Sequence, residues 1–185
     1  MEKIELFTDS IVVDYLFDEE LDDTIIKVLQ AEEKNNKGNQ LSNFGGFQTK
    51  SIKDQKICHT LLVKSGEAIS QAYGVKFKYG LKNLWINKNL KHNFNMPHIH
   101  PRSDFSGVYY VEVKENNGNL VFIRNDVSNK EIDGLFHKTD FVLSSTIKPK
   151  KNQLILFPSN LQHMVTPHEE EGLRISVSFN LSIDR

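Results

Sequence analysis

Two histidines, His98 and His100, lie one residue apart in the stretch MPHIHP, between two prolines. Side chains two positions apart on an extended chain point to the same side, so both imidazoles can approach one point. Histidine is the commonest metal ligand among the side chains. An isolated His-x-His between prolines is also compatible with a polar surface turn. The pair alone therefore does not distinguish a metal site from a loop.

A third histidine and an arginine extend this pattern later in the chain. His163 lies in LILFPSNLQHMVTPH, and Arg174 opens the alternating run RISVSFNLS eleven residues later. In that run Arg174, Ser176, Ser178 and Asn180 share one face, and apolar residues occupy the other. The polar face can be solvated, or it can line an interior and bind an anion. Periodicity alone does not choose between these alternatives.

The chemistry that would use all of these groups is iron-dependent oxidation with a keto acid. A ferrous ion that also binds a co-substrate and dioxygen needs three protein ligands on one face, usually two imidazoles and one carboxylate. A chelating α-keto acid needs its distant carboxylate neutralised, which an arginine beside a hydroxyl can do. The chain supplies these parts in order as His98, His100, His163, Arg174 and Ser176.

The elements that must position these residues fall into a helical part and a strand-rich part. The run DEELDDTIIKVLQAEEK predicts a helix with Asp18 as its N-cap, and a second helix is predicted from Ile52 to Tyr73, ended by Gly74. The later part contains about nine strand-sized segments: VKFKYG, LKNLWINK, FNMPHIH, SGVYYVEV, NLVFIRN, DFVLSST, QLILFP, MVTPH and RISVSFNLS.

This pattern predicts an α+β fold, mainly β, with the helices packed outside an antiparallel barrel or sandwich. The length of 185 residues suits one domain. We expect a single domain over residues 1–185. Its helical N-terminal part, 1–74, would pack on a barrel core formed by 75–185.

Charge and cysteine content exclude several classes of protein. The 23 basic and 24 acidic residues nearly cancel, so no nucleic-acid or membrane partner is expected. A single cysteine, Cys58, rules out a disulfide within the chain and indicates a reducing compartment. The N-terminal stretch has acidic residues and no long apolar block, and no apolar run approaches the ~18 residues that span a bilayer. We expect a cytoplasmic protein.

The ordered motifs resemble those of the 2-oxoglutarate/Fe(II)-dependent dioxygenase superfamily. Within it they are most similar to a group of oxygenases from bacteria and from phages of marine cyanobacteria. The resemblance rests on Trp85-x-Asn87, on HIHP with the following SGVYYV, on LFPSNLQH and on RISVSFN. It covers roughly the C-terminal hundred residues.

The resemblance implies a double-stranded β-helix fold (a cupin-like jelly roll) that uses Fe(II), 2-oxoglutarate and dioxygen. By position, His98 would be the first metal ligand and His163 the distal one. Arg174 would pair with the C5 carboxylate of 2-oxoglutarate, with Ser176 as second partner. The implied reaction converts 2-oxoglutarate to succinate and carbon dioxide and hydroxylates a C–H bond.

The chain departs from the superfamily pattern at the position that normally holds a carboxylate, which is His100 here. His100 can itself ligate, giving a three-histidine site as in some cupin-type dioxygenases. Alternatively, Asp104 can reach back from PRSDF and supply the carboxylate. A third alternative has no third protein ligand, as in halogenating relatives, but the large imidazole of His100 argues against it.

Two other functions compete with the oxygenase. One is a cupin-like metal-binding protein or a three-histidine metalloenzyme independent of 2-oxoglutarate. The other is a capsid-like or carbohydrate-binding jelly roll without metal. Arg174-x-Ser176 favours the oxygenase over the first alternative, which needs no anion site on the last strand. The ordered set of two histidines and an arginine counts against the second, since a metal-free barrel does not need it. The expected substrate is a small molecule or a peptide of unknown identity, and the chain could act as a homodimer.

Other histidines and aromatic residues are assigned no catalytic role. His59, His92, His137 and His168 lack ligand spacing and are interpreted as structural or solvent-facing. Of Trp85 and Asn87, at most one is expected to face the interior. Tyr109 and Tyr110 should face opposite ways, so that one packs and the other can line a pocket.

Overall fold

The computed structural model describes residues 9–114, 117–124 and 143–184. In chain order the elements are β1 Val12–Tyr15, α1 Glu19–Asn35, β2 Asn43–Phe44, β3 Phe47–Gln48, α2 Gln55–Tyr73, β4 Tyr79–Asn89, β5 Phe94–His98, β6 Phe105–Glu112, β7 Leu120–Ile123, β8 Ser144–Ile147, β9 Gln153–Pro158, β10 Gln162–Val165 and β11 Arg174–Ile183. They form two antiparallel sheets. The larger has the order β1-β9-β6-β11-β4-β3, and the smaller β2-β5-β10-β7-β8.

The two caps predicted from the sequence, Asp18 at the start of α1 and Gly74 at the end of α2, are confirmed. Asp18 caps α1 by accepting a hydrogen bond from the backbone N–H of Leu21 at 2.9 Å. Asp54 caps α2 in the same way through Ile57 at 3.0 Å, so this helix starts three residues later than expected. Gly74 ends α2 with a φ of 66°, in the left-handed region that glycine adopts without strain.

The outer face of the larger sheet carries the main core. The apolar residues of β11 pack against the buried faces of both helices, which confirms that the helices lie outside the sheets. This cluster includes Ile175, Val177, Phe179 and Leu181 from β11, Leu21, Ile25 and Leu29 from α1, and Ile57, Leu61 and Ile69 from α2. The polar face of β11 must then point between the sheets.

A second, smaller apolar cluster lies between the two sheets. Val108, Tyr110, Ile155 and Phe157 of the larger sheet meet Leu120, Phe122 and Val165 of the smaller one. The rings of Phe122 and Phe157 meet edge to face at 5.0 Å. This contact joins the sheets and leaves the rest of the interior to polar side chains.

Several strands differ from their predicted limits. VKFKYG does not form a strand of its own, because β4 begins only at Tyr79 and runs unbroken to Asn89 opposite the long β11. β10 begins at Gln162, before the predicted start, since His163 pairs with the preceding β5. The first residues of DFVLSST lie outside the described residues. The short strands β1, β2 and β3 were not predicted; β1 extends one edge of the larger sheet and β3 the other.

Among the described residues, no helix has the length and apolar character needed to cross a membrane.

Candidate active site

Three histidines meet at one end of the smaller sheet. His98 is the last residue of β5, and His163 lies directly opposite it on β10. His100 follows two residues after β5, where its backbone N–H donates to the carbonyl of Ser159 at 2.9 Å. Strand pairing therefore positions two of the rings, and a backbone hydrogen bond positions the third.

The three rings form a compact triangle. The centroids of His98 and His163 are 4.4 Å apart, and His100 lies 5.0 Å from each. The Nε2 atoms of His100 and His163 are 3.2 Å apart, and one ligand atom from each of the three residues lies within 4.8 Å of the others. This spacing suits a single metal ion bound by three imidazoles.

Backbone contacts determine which ring nitrogen is free to bind. His98 Nδ1 contacts the Met96 carbonyl at 2.7 Å, and His163 Nδ1 contacts the Leu161 carbonyl at 2.8 Å. A carbonyl only accepts, so each Nδ1 carries the proton and each Nε2 keeps its lone pair. Both Nε2 atoms are thus available as metal ligands.

Burial keeps all three imidazoles neutral, the form that binds metals. It lowers the pKa of His98. The pKa of His100 falls to about 3, through burial and the neighbouring His163 and His98. The pKa of His163 falls to about 4, through burial and the neighbouring His98. Near neutral pH, no proton therefore competes with a metal for His100 or His163, and the lowered pKa of His98 acts in the same direction.

The structure places Asp104 away from this cluster. Its carboxylate accepts a hydrogen bond from the backbone N–H of Ile183 at 2.9 Å, and its own N–H donates to the Leu181 carbonyl. Asp104 thus holds the end of β11. In the described parts of the chain, the metal-ligand cluster contains histidines and no carboxylate.

Arg174 is a buried cation at the start of β11. It is 2% exposed, and its Nη2 donates to the Tyr110 hydroxyl at 3.4 Å. Its guanidinium carbon lies 5.1 Å from the centre of the Tyr110 ring. No acidic residue among those described pairs with it. Because an unpaired buried charge is costly, this environment fits an anionic ligand.

One cavity of about 640 Å³ connects the histidines with the arginine. The polar face of β11 forms part of its wall, with Arg174, Ser176, Ser178 and Asn180 all lining it. The interior alternative for this face is therefore correct. Ser176, only 2% exposed, follows Arg174 on the same face.

The residues present fit both iron and 2-oxoglutarate. Three neutral imidazoles with converging nitrogens suit Fe(II). Arg174, with the hydroxyls of Tyr110 and Ser176 lining the same cavity, suits a carboxylate.

The prediction for Trp85 and Asn87 was wrong, since both line the cavity. Residues two apart on a strand share a face, so the expectation that they diverge was mistaken. The prediction for the tyrosines is confirmed. Tyr109 points to the outer core, and Tyr110 lines the cavity. The contact of Tyr110 with Arg174 was not predicted, because the alternation of side chains along one strand does not show which residues face them on the neighbouring strand.

The remaining histidines lie outside the metal cluster. His59 and His92 are exposed, as expected for solvent-facing residues. His168 is completely buried. His137 lies outside the described residues.

Comparison with known families gives a match to residues 83–180, by a family described as "Putative 2OG-Fe(II) oxygenase". Among curated proteins, no match was found.

Solved structures of similar fold include several 2-oxoglutarate oxygenases. A prolyl-4-hydroxylase of Pseudomonas putida is 15% identical, with a TM-score of 0.61 over 94% of this chain and 93% of its own. HygX of Streptomyces hygroscopicus, with nickel, 2-oxoglutarate and hygromycin B bound, is 10% identical, with a TM-score of 0.65 over 95% and 83%. The viral collagen prolyl hydroxylase of Paramecium Bursaria Chlorella virus-1, a 2-oxoglutarate complex, is 15% identical, with a TM-score of 0.59 over 92% and 95%.

These likenesses identify the two-sheet architecture as the jelly roll of these enzymes. The family match spans more than half of the chain and includes all three histidines, Arg174 and Ser176. The chain belongs to the 2OG-Fe(II) oxygenase family and is an iron- and 2-oxoglutarate-dependent oxidoreductase.

Proposed function

We propose that this oxygenase hydroxylates a small-molecule or peptide substrate, with three histidines as the iron ligands and Arg174 as the anchor of 2-oxoglutarate. The observation that carries the proposal is the state of Arg174. It is a buried cation without an acidic partner among the described residues, and it lines the same cavity as the three-histidine cluster. The distant carboxylate of the co-substrate would supply its counter-charge.

His98, His100 and His163 would hold the iron through their neutral imidazoles. His98 and His163 present Nε2 because their Nδ1 protons are held by backbone carbonyls. His100 takes the third position in this proposal, since the carboxylate of Asp104 is engaged by the backbone of β11. The resulting ligand set is all nitrogen, unlike the usual two-histidine-one-carboxylate arrangement.

At the other end of the cavity, Arg174 would bind and orient the C5 carboxylate. Its planar fork allows a two-point contact, and Tyr110 restrains the guanidinium from one side. Ser176, on the same face of β11, would donate a hydrogen bond from its hydroxyl to the same carboxylate. When bound, iron and 2-oxoglutarate would supply the oxidising chemistry. In the overall reaction 2-oxoglutarate is converted to succinate and carbon dioxide, and one oxygen atom of dioxygen enters succinate while the other enters the substrate.

The proposal also covers the class of substrate, the cellular compartment and the oligomeric state. The structural neighbours include prolyl hydroxylases and a protein with hygromycin B bound, so both a peptide and a small molecule suit this fold. The near balance of 23 basic and 24 acidic residues argues against a nucleic-acid substrate.

One cysteine in the chain favours the reducing cytoplasm. Analytical ultracentrifugation would decide whether the chain acts as a homodimer.

The test is an anaerobic titration of Fe(II) and 2-oxoglutarate into metal-free protein. Binding is monitored by the visible charge-transfer band of the chelated keto acid. We expect the band in the natural protein and in His59→Gln, an exposed control. It should be lost in His163→Ala and require much more 2-oxoglutarate in Arg174→Met. Metal binding without a band would overturn the keto-acid role and favour a three-histidine metalloenzyme independent of 2-oxoglutarate.

A further inference from the structure

Behind Arg174 lies a group of buried polar side chains with unused hydrogen-bonding atoms. His168 is 0% exposed, and neither of its ring nitrogens has a hydrogen-bond partner among the described residues. Within the same part of the chain, the Nε of Arg174 and the Oδ1 atoms of Asn89 and Asn117 are also unpaired. A buried polar atom without a hydrogen bond destabilises the folded state, so several in one place call for an explanation.

Each of these side chains is tied to Arg174 by a separate structural feature. Asn89 lies directly opposite Arg174 in the pairing of β4 with β11. Asn117 donates from Nδ2 to the carbonyl of Leu173, the residue before the arginine, at 3.3 Å. His168 lies in the loop that leads into β11, and the charge of Arg174 acts on its ring. Three segments of the chain therefore meet around the start of β11, where Arg174 lies.

The backbone is shaped to bring His168 into this group. A Cβ built on Gly118 would lie 2.7 Å from His168 Cδ2, so the turn around Asn117 packs closely on the imidazole. Gly118 also has a φ of 80°, which disfavours any other residue there. His168 is held from the other side by backbone hydrogen bonds to Asn93 and His92, at 3.2 and 2.9 Å.

The unpaired atoms include both hydrogen-bond donors and hydrogen-bond acceptors. Burial first, and the Arg174 charge second, lower the pKa of His168 to about 4, so the ring is neutral and has one donor and one acceptor nitrogen. Arg174 Nε–H donates, and the two Asn oxygens accept. One or two ordered waters can connect such a set, because a buried water typically makes about three hydrogen bonds.

We propose that Asn89, Asn117 and His168 form a hydrated rear pocket that fixes the Nε edge of Arg174, and that His168 is thereby a positioning residue for 2-oxoglutarate. The inference rests on the proposed role of Arg174 as the co-substrate anchor. A guanidinium that is already held by the rear pocket loses less conformational entropy when it binds the carboxylate. The affinity for 2-oxoglutarate is therefore higher.

The test compares two keto acids on the anaerobic Fe(II) protein. Pyruvate keeps the chelating keto-acid end of 2-oxoglutarate but lacks the distal carboxylate. His168→Leu should raise the Kd of 2-oxoglutarate about tenfold, the effect of losing roughly one hydrogen bond to a charged group. The Kd of pyruvate should stay unchanged. His168→Gln, which restores a donor and an acceptor, should recover most of the 2-oxoglutarate affinity.

Two controls separate positioning from general damage. His59→Leu, on the exposed face of α2, should leave both Kd values unchanged. In an Arg174→Met background, His168→Leu should have no further effect on 2-oxoglutarate. If His168→Leu does not fold, Asn89→Ala serves for the same comparison with the same expectation.

The outcomes distinguish this inference from the proposed function. If the natural protein binds no 2-oxoglutarate, the proposed function itself fails. If it does bind but His168→Leu binds equally well, the positioning role is overturned. Equal weakening of 2-oxoglutarate and pyruvate would also overturn it, because that pattern indicates a disturbed metal site.

Discussion

At the scale of single residues, His100 is the position that sets this chain apart. On the proposed ligand set, an imidazole in place of a carboxylate would leave the charge of a bound Fe(II) uncompensated by the protein. The chelating carboxylate of 2-oxoglutarate would offset half of that charge, while Arg174 would balance the distal carboxylate. The three-histidine set therefore favours 2-oxoglutarate binding at some cost in affinity for the metal alone.

Substitutions at His100 test this view of the ligand set. His100→Ala should weaken Fe(II) binding about a hundredfold, since one of three proposed ligands is lost and even the loss of residues that only support a ligand typically costs roughly 10–100-fold in metal affinity. His100→Asp restores the usual carboxylate and should retain the metal while weakening 2-oxoglutarate. Trp85 is the only tryptophan, and its ring lies 5.7 Å from that of His100, so quenching of its fluorescence reports metal binding.

Asp104→Asn is the matched variant for the alternative ligand. Its carboxylate contacts the backbone of β11, so we expect unchanged Fe(II) affinity and a lower free energy of unfolding. A large loss of Fe(II) affinity in Asp104→Asn, with His100→Ala unaffected, would show that the carboxylate is the ligand after all.

The buried neutral state of His168 predicts a pH dependence of stability. Its pKa is about 4 in the folded protein and 6.5 when unperturbed, so between these values the unfolded chain binds the additional proton. The stability that His168 contributes is thus complete above pH 6.5 and is lost as the pH falls towards 4.

Urea unfolding at several pH values would measure this effect. Relative to His168→Gln, the natural protein should lose up to about 1.4 kcal/mol of unfolding free energy per pH unit between pH 6.5 and 4. The comparison cancels the contributions of the other histidines. Parallel pH profiles for the two proteins would contradict a neutral, buried His168.

At the scale of elements, a buried hydrogen bond adds to the apolar packing of α1 on the larger sheet. Tyr109 on β6 donates to the carboxylate of Asp22 on α1 at 2.7 Å and contacts the Leu16 carbonyl at 3.1 Å. Burial raises the pKa of Asp22, and the Tyr109 hydroxyl opposes that shift. The tyrosine therefore satisfies a carboxyl group that is largely removed from water.

Tyr109→Phe should lower the free energy of unfolding by about 1–3 kcal/mol, because the Asp22 carboxyl loses its donor in a buried setting. Chemical denaturation measures the change. Tyr73→Phe, on the half-exposed end of α2, is the control and should stay close to the natural protein. Equal stability of the two variants would mean that the hydroxyl of Tyr109 does not anchor the helix.

Much of this arrangement could be predicted from local patterns. Alternation in RISVSFNLS identified both faces of β11, and Asp18 and Gly74 located one end of each helix. Strands of two to four residues, such as β2 and β3, carry too few residues for a periodic signal. The contact of Tyr110 with Arg174 and the burial of His168 depend on pairing between distant segments, which one sequence does not reveal.

At the scale of the whole molecule, the two sheets hold opposite ends of the proposed ligand assembly. His98 and His163 belong to the smaller sheet, and Arg174 belongs to the larger one. Iron alone would connect elements of the smaller sheet and the loop that carries His100. Iron together with 2-oxoglutarate would connect the two sheets across the cavity.

This geometry predicts that 2-oxoglutarate stabilises the fold only when the metal is present. At a hundredfold excess over its Kd, a ligand specific for the folded state adds about 2.7 kcal/mol. Anaerobic thermal melts should therefore show one rise in Tm with Fe(II) and a second when 2-oxoglutarate is added. His163→Ala should lose both rises, whereas Arg174→Met should keep the first and lose most of the second. A second rise that persists in Arg174→Met would place the distal carboxylate elsewhere, and 2-oxoglutarate would then not join the two sheets through β11.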